Sequence, residues 1–209
     1  MQPHTNDTAI RIRKQAHELF MQFGLKSVSL DDICNKLGMS KKTIYQYYTD
    51  KEELVAAVVQ SIIMHNQQTC DDSIRKSKDA IHEVFLCMED VSELFSSMNP
   101  SILFDLYKYY PKAFEIFKLH KQEYIFSVIR KNICRGIQEG LYREELDVDI
   151  ISRFRLESTL IPFNPDFFTA VKSSMVTISE TLTYHFLYGM VSIKGYKMIQ
   201  KYETEKLKK

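Results

Sequence analysis

Tryptophan is absent from this 209-residue sequence, and glycine and proline are scarce, at six and five residues. Neither charge sign dominates: 28 basic side chains face 27 acidic ones, for a formal net charge of +1. That balance excludes polyanion binding by bulk charge, so any such contact must come from local placement of Lys and Arg. No apolar run approaches the ~18–20 residues that span a bilayer. The stretch Met1–Thr8 is polar, so no secretory leader is expected either. The four cysteines, Cys34, Cys70, Cys87 and Cys134, lie far apart and form no CxxC pair. Cys34, Cys87 and Cys134 sit among apolar neighbours at helical spacing. They read as reduced thiols used as small core residues, rather than as zinc ligands or a disulfide framework, and a cytoplasmic location is expected.

Catalytic signatures are also missing. There is no GxSxG, P-loop, GxGxxG or HExxH, and His17-Glu18 occurs without a second histidine in register. The six histidines are scattered. Asp31-Asp32 and Glu144-Glu145 fall at expected helix starts, where carboxylates favour the helix dipole, so capping explains them better than acid–base chemistry. The sequence thus predicts no enzyme, no metal site and no cofactor.

What is present is helical periodicity. Hydrophobic residues make up 44% of the chain, enough for one large domain or two small ones. Ile12, Ala16, Leu19, Phe20 and Phe23 recur at steps of three and four until Gly24 ends the run. Ser29, with Asp32 three residues on, reads as a capping box ahead of Leu30, Ile33, Cys34 and Leu37, and Gly38 closes that helix. Ser40 can cap a third helix, Lys41 to Tyr48. Thr49 or Asp50 can cap a longer one carrying Leu54, Val55, Val58, Val59 and Ile62. Further helices are expected near 78–98, 101–109, Pro111 to Glu139, 148–160, 166–174 and 178–203. No sustained two-residue alternation is seen, so the expected class is all-α. It would comprise a trihelical head over 1–55 and a larger helical domain over 56–209.

The turn Leu37-Gly38-Met39-Ser40 has the tight form that a helix-turn-helix requires, with Gly38 free to take a positive φ and Met39 placed to plug the core. In the helix that follows, Ile44 and Tyr48 face inward. Lys42, Thr43, Tyr45, Gln46 and Tyr47 remain free to face a major groove. Each feature alone is ordinary: Lys41-Lys42 is a common solvated pair, and Tyr-Gln-Tyr-Tyr a common helix face. Their combination is not.

These residues, together with Phe23-Gly24, Val28-Ser29-Leu30-Asp31-Asp32-Ile33, the run Leu37 to Tyr48 and Lys51-Glu52-Glu53-Leu54, closely resemble the N-terminal signature of TetR/AcrR-type transcriptional regulators. Cys34 stands where that family usually has Ala, Lys42 where Gly is common, and Tyr48 where Phe is usual, which leaves a hydroxyl needing a partner. The resemblance implies a double-stranded DNA operator as partner. It implies phosphate contact through the hydroxyl and backbone N–H of Ser29, phosphate or base-edge contacts from Tyr45 and Tyr47, and a phosphate clamp at Lys51. Lys42, Thr43 and Gln46 become candidates for base readout, beside Lys41 in the same segment.

For the rest of the chain the resemblance implies an effector-binding and dimerisation domain. Gly136 to Arg143 and Phe186 to Met190 carry it. Two late helices, about 148–161 and 178–201, would form a homodimer interface with Phe154, Leu182, Phe186, Leu187, Met190 and Val191 facing the partner, and Gly189 allowing close approach. The alternative is that this stripe is intramolecular core. The aromatic residues of 78–139, among them Phe85, Met88, Phe104, Tyr107, Phe117 and Tyr124, read first as core. As a pocket they would suit an apolar or aromatic effector. The function expected is a repressor released from its operator by such an effector. A helical protein-interaction module, an effector-independent regulator and an activator remain as alternatives.

Overall fold

Caps and left-handed glycines set the helix ends in the computed structural model, which describes residues 3–206. Helices α1 (Pro3–Phe23), α2 (Leu30–Leu37), α3 (Lys41–Tyr45) and α4 (Lys51–Lys76) follow in order. Gly24 and Gly38 take φ of 83° and 63°, the left-handed region that L side chains avoid. Asp50 caps α4 by accepting from the Glu53 backbone N–H at 2.8 Å, and the Glu53 carboxylate returns to the Thr49 N–H and hydroxyl at 2.6 and 2.7 Å.

Then come α5 (Ala80–Ser96), α6 (Ile102–Tyr109), α7 (Pro111–His120), a π turn at Lys121–Ile125 and α8 (Phe126–Gln138). The long helix expected from Pro111 is thus one helical run interrupted by a π turn. After it come α9 (Val148–Ser158), a 3₁₀ turn, α10 (Pro165–Val171), α11 (Met175–Met190) and α12 (Ile193–Lys206). Among the described residues no strand occurs, only an isolated antiparallel bridge between Tyr142 and Val191.

That bridge explains why the single helix expected over 178–203 is two. Val191 leaves helical geometry at ψ 147°. The Arg143 N–H donates to the Met190 carbonyl at 3.0 Å, and the Ser192 N–H to the Leu141 carbonyl at 2.9 Å. Gly195 completes the fit, because a Cβ there would lie 2.1 Å from the Leu141 oxygen.

The chain forms two compact units, residues 1–65 with 97–119, and residues 66–96 with 120–209. The boundary read from sequence, at residue 55, differs in two ways: the first unit keeps α4 to residue 65 and recruits α6 and most of α7. The recruits are tied to the turn after α1. The Lys26 N–H donates to Asp105 Oδ2 at 2.9 Å, the Tyr110 hydroxyl to the Leu25 carbonyl at 3.2 Å, and the Asn99 N–H to the Met21 carbonyl at 2.8 Å. Ile12, Phe20, Ile33, Ile44, Leu54 and Leu106 fill this unit's core. In the second unit Ile81, Phe85, Met88, Ile133, Tyr142, Phe186, Leu187, Met190 and Ile199 form one buried cluster.

Burial holds His17 and His120 below the ordinary imidazole value of 6.5, and His82 likewise, with Lys78 adding to the effect. The folded protein therefore binds fewer protons than the unfolded chain once the pH passes below 6.5. Stability should be complete above that value and fall as the pH drops through it towards the folded-state values. Thermal melts at mildly acidic and neutral pH check this, and His120→Gln should shrink the difference.

Candidate nucleic-acid interface

The segment from Ser29 to Lys51 is built by reciprocal caps. The Asp32 N–H donates to Ser29 Oγ at 3.2 Å, while the Ser29 N–H and hydroxyl both donate to Asp32 Oδ2, at 2.7 and 2.6 Å. Those bonds hold the Asp32 carboxyl below its usual range. In the chain without DNA the two Ser29 donors expected to meet phosphate are both engaged by Asp32. Ser40 caps α3 through the Thr43 N–H at 3.2 Å, and its hydroxyl meets Thr43 Oγ1 at 3.0 Å. The Met39 N–H closes the turn on the Cys34 carbonyl at 3.0 Å.

Ile44 is fully buried and Tyr48 is 7% exposed, which anchors α3 on one side. The extra Tyr48 hydroxyl finds its partner in the Ala9 carbonyl at 3.2 Å. On the other side Tyr45 is 51% exposed. Lys41, Lys42 and Gln46 are exposed, and Thr43 and Tyr47 partly so. The helix is shorter than expected: it ends at Tyr45, so Gln46 is its C-cap and Tyr47 lies in the turn beyond. Lys41 pairs with Asp31 at 2.7 Å, which raises its pKa. Both side chains are largely solvated, so the pair adds little stability and is easily exchanged for a phosphate.

Lys51 departs most from expectation. Its ammonium donates to the Leu25 carbonyl at 2.6 Å and lies 5.9 and 5.4 Å from the Phe20 and Tyr110 ring centroids. Burial pushes its pKa down. Turned inward in this way, it ties the turn after α1 to the start of α4 and is not presented as a phosphate clamp.

The six residues expected to line a pocket are divided between the two units. Phe85 and Met88 belong to the buried cluster of the second unit. Phe104 and Tyr107 lie in the first unit and are 44% and 69% exposed; Phe117 also belongs to that unit. Of the six residues only Tyr124 lines the cleft of about 380 Å³ in the second unit. Its neighbours there are Asp71, Ile74, Glu83, Ser127, Val128, Lys131, Asn132 and Arg135. The cleft thus combines charged groups with an exposed lining that is mostly apolar. Sequence reading missed it because it followed aromatic residues, whereas Tyr124, Ser127, Lys131 and Arg135 share a face at steps of three and four.

Arg135 organises one wall, donating to Glu83 Oε2 at 2.9 Å, Glu139 Oε1 at 2.7 Å and Ser77 Oγ at 2.6 Å. The Tyr124 hydroxyl donates to Asp71 Oδ1 at 2.7 Å.

The expected dimer residues divide as well. Phe186, Leu187 and Met190 are 8%, 0% and 2% exposed within the single chain, so for them the intramolecular alternative holds. Phe154 is 58% exposed, Leu182 and Val191 are half-buried, and Gly189 is exposed. Ile150, one turn before Phe154 and 66% exposed, was not foreseen.

Residues 12–58 match the family model described as bacterial regulatory proteins of the tetR family. The HTH-type transcriptional regulator UidR of Escherichia coli K12 is 31% identical over 94 residues, 45% of this chain and 46% of its own length. An HTH-type transcriptional regulator of Bacillus subtilis, YvaF, is 28% identical over 127 residues, 60% of this chain and 66% of its own length. The match to UidR thus spans about half of that relative's length. Among solved structures, a TetR-family transcriptional regulator from Agrobacterium tumefaciens superposes with a TM-score of 0.75 at 13% identity, covering 90% of this chain and 99% of its own. A transcriptional regulator from Saccharomonospora viridis in complex with choline gives 0.69 at 15% identity, covering 90% and 99%. Such likenesses carry the fold, the all-α class read from the sequence. No helix among the described residues is long and apolar enough to cross a membrane.

Proposed function

We propose that this chain, whose residues 12–58 match the tetR family of bacterial regulatory proteins, is a DNA-binding transcription regulator that reads its operator with the solvent face of α3. One observation carries this reading. Ile44 and Tyr48 are buried while Tyr45 is half exposed, so the segment 41–47 is fixed from behind and open in front. Lys42, Thr43 and Gln46 supply donors and acceptors for base edges. Lys41, Tyr45 and Tyr47 supply phosphate or base-edge contacts.

A homodimer supplies the second head that a pseudo-palindromic site requires. Ile150 and Phe154, exposed one turn apart on α9, with Leu182 and Gly189 on α11, make the self-complementary face for it. Repression relieved by an effector is the regulatory mode proposed. The cleft bounded by Asp71, Glu83, Tyr124, Lys131 and Arg135, whose exposed lining is mostly apolar, suits an effector with an apolar body and a polar or charged group. An effector coupling of ~1–3 kcal/mol is enough to switch occupancy.

Selection of bound sequences from random DNA tests the reading and returns both half-site and spacing. A dimer neutralising about six phosphates should then show a log–log salt slope of roughly −5 on the selected site. A flat titration, or failure to enrich any sequence, would overturn the proposal.

A further inference from the structure

Two cysteines that are 17 positions apart in sequence meet in the second unit. Cys70 on α4 and Cys87 on α5 bring their sulfurs to 3.9 Å, and both are free and partly exposed. The helices that carry them are pinned together next door, where the Ser73 hydroxyl donates to Asp90 Oδ2 at 2.7 Å. A disulfide bond measures about 2.05 Å, so closure needs the sulfurs to approach by roughly 2 Å, within reach of side-chain rotation and a small helix adjustment.

We propose that Cys70 and Cys87 are a dithiol modification site, oxidised by hydroperoxides to an intramolecular disulfide that cross-links α4 to α5.

The two thiols are unequal. The contact with Cys87 holds the Cys70 thiol below its usual value. The same contact and burial push the Cys87 thiol up. Those directions agree with Cys70 as the attacking thiol and Cys87 as the resolving one. Cys70 and Cys87 are both partly exposed, which gives a small oxidant a way in.

In the first step the Cys70 sulfur attacks a peroxide oxygen. The O–O bond breaks, water leaves with hydrogen peroxide as oxidant, and Cys70 becomes a sulfenic acid. In the second step the Cys87 sulfur attacks the Cys70 sulfur, the S–O bond breaks, and a second water carries away the hydroxyl and the thiol proton. The two thiols together lose two protons and two electrons, and one peroxide is reduced to two waters. A small thiol reductant reverses the bond. Reversible, regulatory disulfides of this kind are compatible with reducing compartments, unlike structural ones.

Mass spectrometry of the full chain after brief treatment with hydrogen peroxide tests this. The expected result is an intact monomer lighter by two hydrogens, a peptide pair joined through Cys70 and Cys87, and full reversal by dithiothreitol. Cys87→Ser should accumulate a Cys70 sulfenic acid that dimedone traps, while Cys70→Ser should form neither the bond nor an adduct at position 87. Circular dichroism of both variants establishes that they fold. The proposal is overturned if folded wild-type protein leaves Cys70 and Cys87 reduced under these conditions. Oxidation that joins two chains, or that goes only to Cys34 or Cys134, overturns it equally. None of these readouts involves DNA, so the outcome is separate from that of the regulator reading.

Discussion

The double variant Tyr45→Ala, Gln46→Ala is expected to lose at least ~30-fold in affinity for the selected operator, with its melting temperature lowered by less than about 2 °C. The affinity loss follows from removing one phosphate or base-edge contact and one base-reading amide from each head, each worth ~1–3 kcal/mol. The small stability change follows from exposure. Tyr45 is half in solvent and Gln46 is exposed in the turn that closes α3. Neither side chain is given a hydrogen bond that the fold needs, and substitutions of this kind usually stay within about 0.5 kcal/mol. The control is Ile44→Ala. Ile44 is fully buried, so that variant should lose ~2–5 kcal/mol and fail to bind because the head unfolds. Binding and melting together separate the two failures. If the double variant binds as wild type, the solvent face of α3 is not the reading surface.

A second large effect is expected in the body of the chain. Gly136→Ala should destabilise it by ~2 kcal/mol or more, although alanine is the better helix former. A Cβ at residue 136 would lie 2.0 Å from Tyr142 Cδ2 and 2.2 Å from Cε2. The ring cannot yield, because it is 2% exposed and its hydroxyl donates to Asn132 Oδ1 at 3.0 Å and to the Ala80 carbonyl at 3.3 Å. Overpacking of this kind costs ~1–3 kcal/mol where neighbours can adjust and more where they cannot. The gain in helix propensity returns only about 1 kcal/mol. At Gly189 the sign reverses. That residue is exposed on α11 and a Cβ there meets nothing within 4 Å in the single chain, so Gly189→Ala should leave the stability of the dissociated monomer unchanged or raise it by up to ~1 kcal/mol, any loss appearing in dimer association. Denaturant titration of the two variants side by side measures the contrast.

The head was legible in the sequence because its signals are local. A cap and its partner lie three residues apart, and Gly38 carries its conformation in its identity. Ile44 and Tyr48 also fall on one helix face. Lys51 was not legible, since the Leu25 carbonyl that its ammonium reaches is 26 positions away. The same holds for the extent of the first unit. Nothing near residue 105 announces that Asp105 will accept from the Lys26 backbone, so a boundary drawn from periodicity stopped at 55 and left out α6 and α7.

In the body, hydrophobicity alone could not separate core from surface. Phe154 and Phe186 look alike in sequence, yet one is 58% exposed and the other 8%, because Phe186 sits within the cluster around Tyr142 while Phe154 lies at its edge, its ring 6.3 Å from that of Phe186. The aromatic stripe misled in a similar way. It ran through both compact units, with Phe104, Tyr107 and Phe117 in one and Phe85, Met88 and Tyr124 in the other. The cleft went unseen because its residues, taken singly, resemble any solvated helix face. Cys70 and Cys87 went unseen because their pairing depends on how α4 and α5 lie together, which spacing does not reveal.

Photo-cross-linking from position 45 tests the central claim most directly. A benzophenone side chain is placed there, and a matched one at Tyr188, which is 41% exposed on α11. With the selected operator bound, irradiation should join position 45 to bases or backbone within a half-site and leave position 188 unattached. Adducts from position 188 but none from position 45, in a complex of unchanged affinity, would contradict the account.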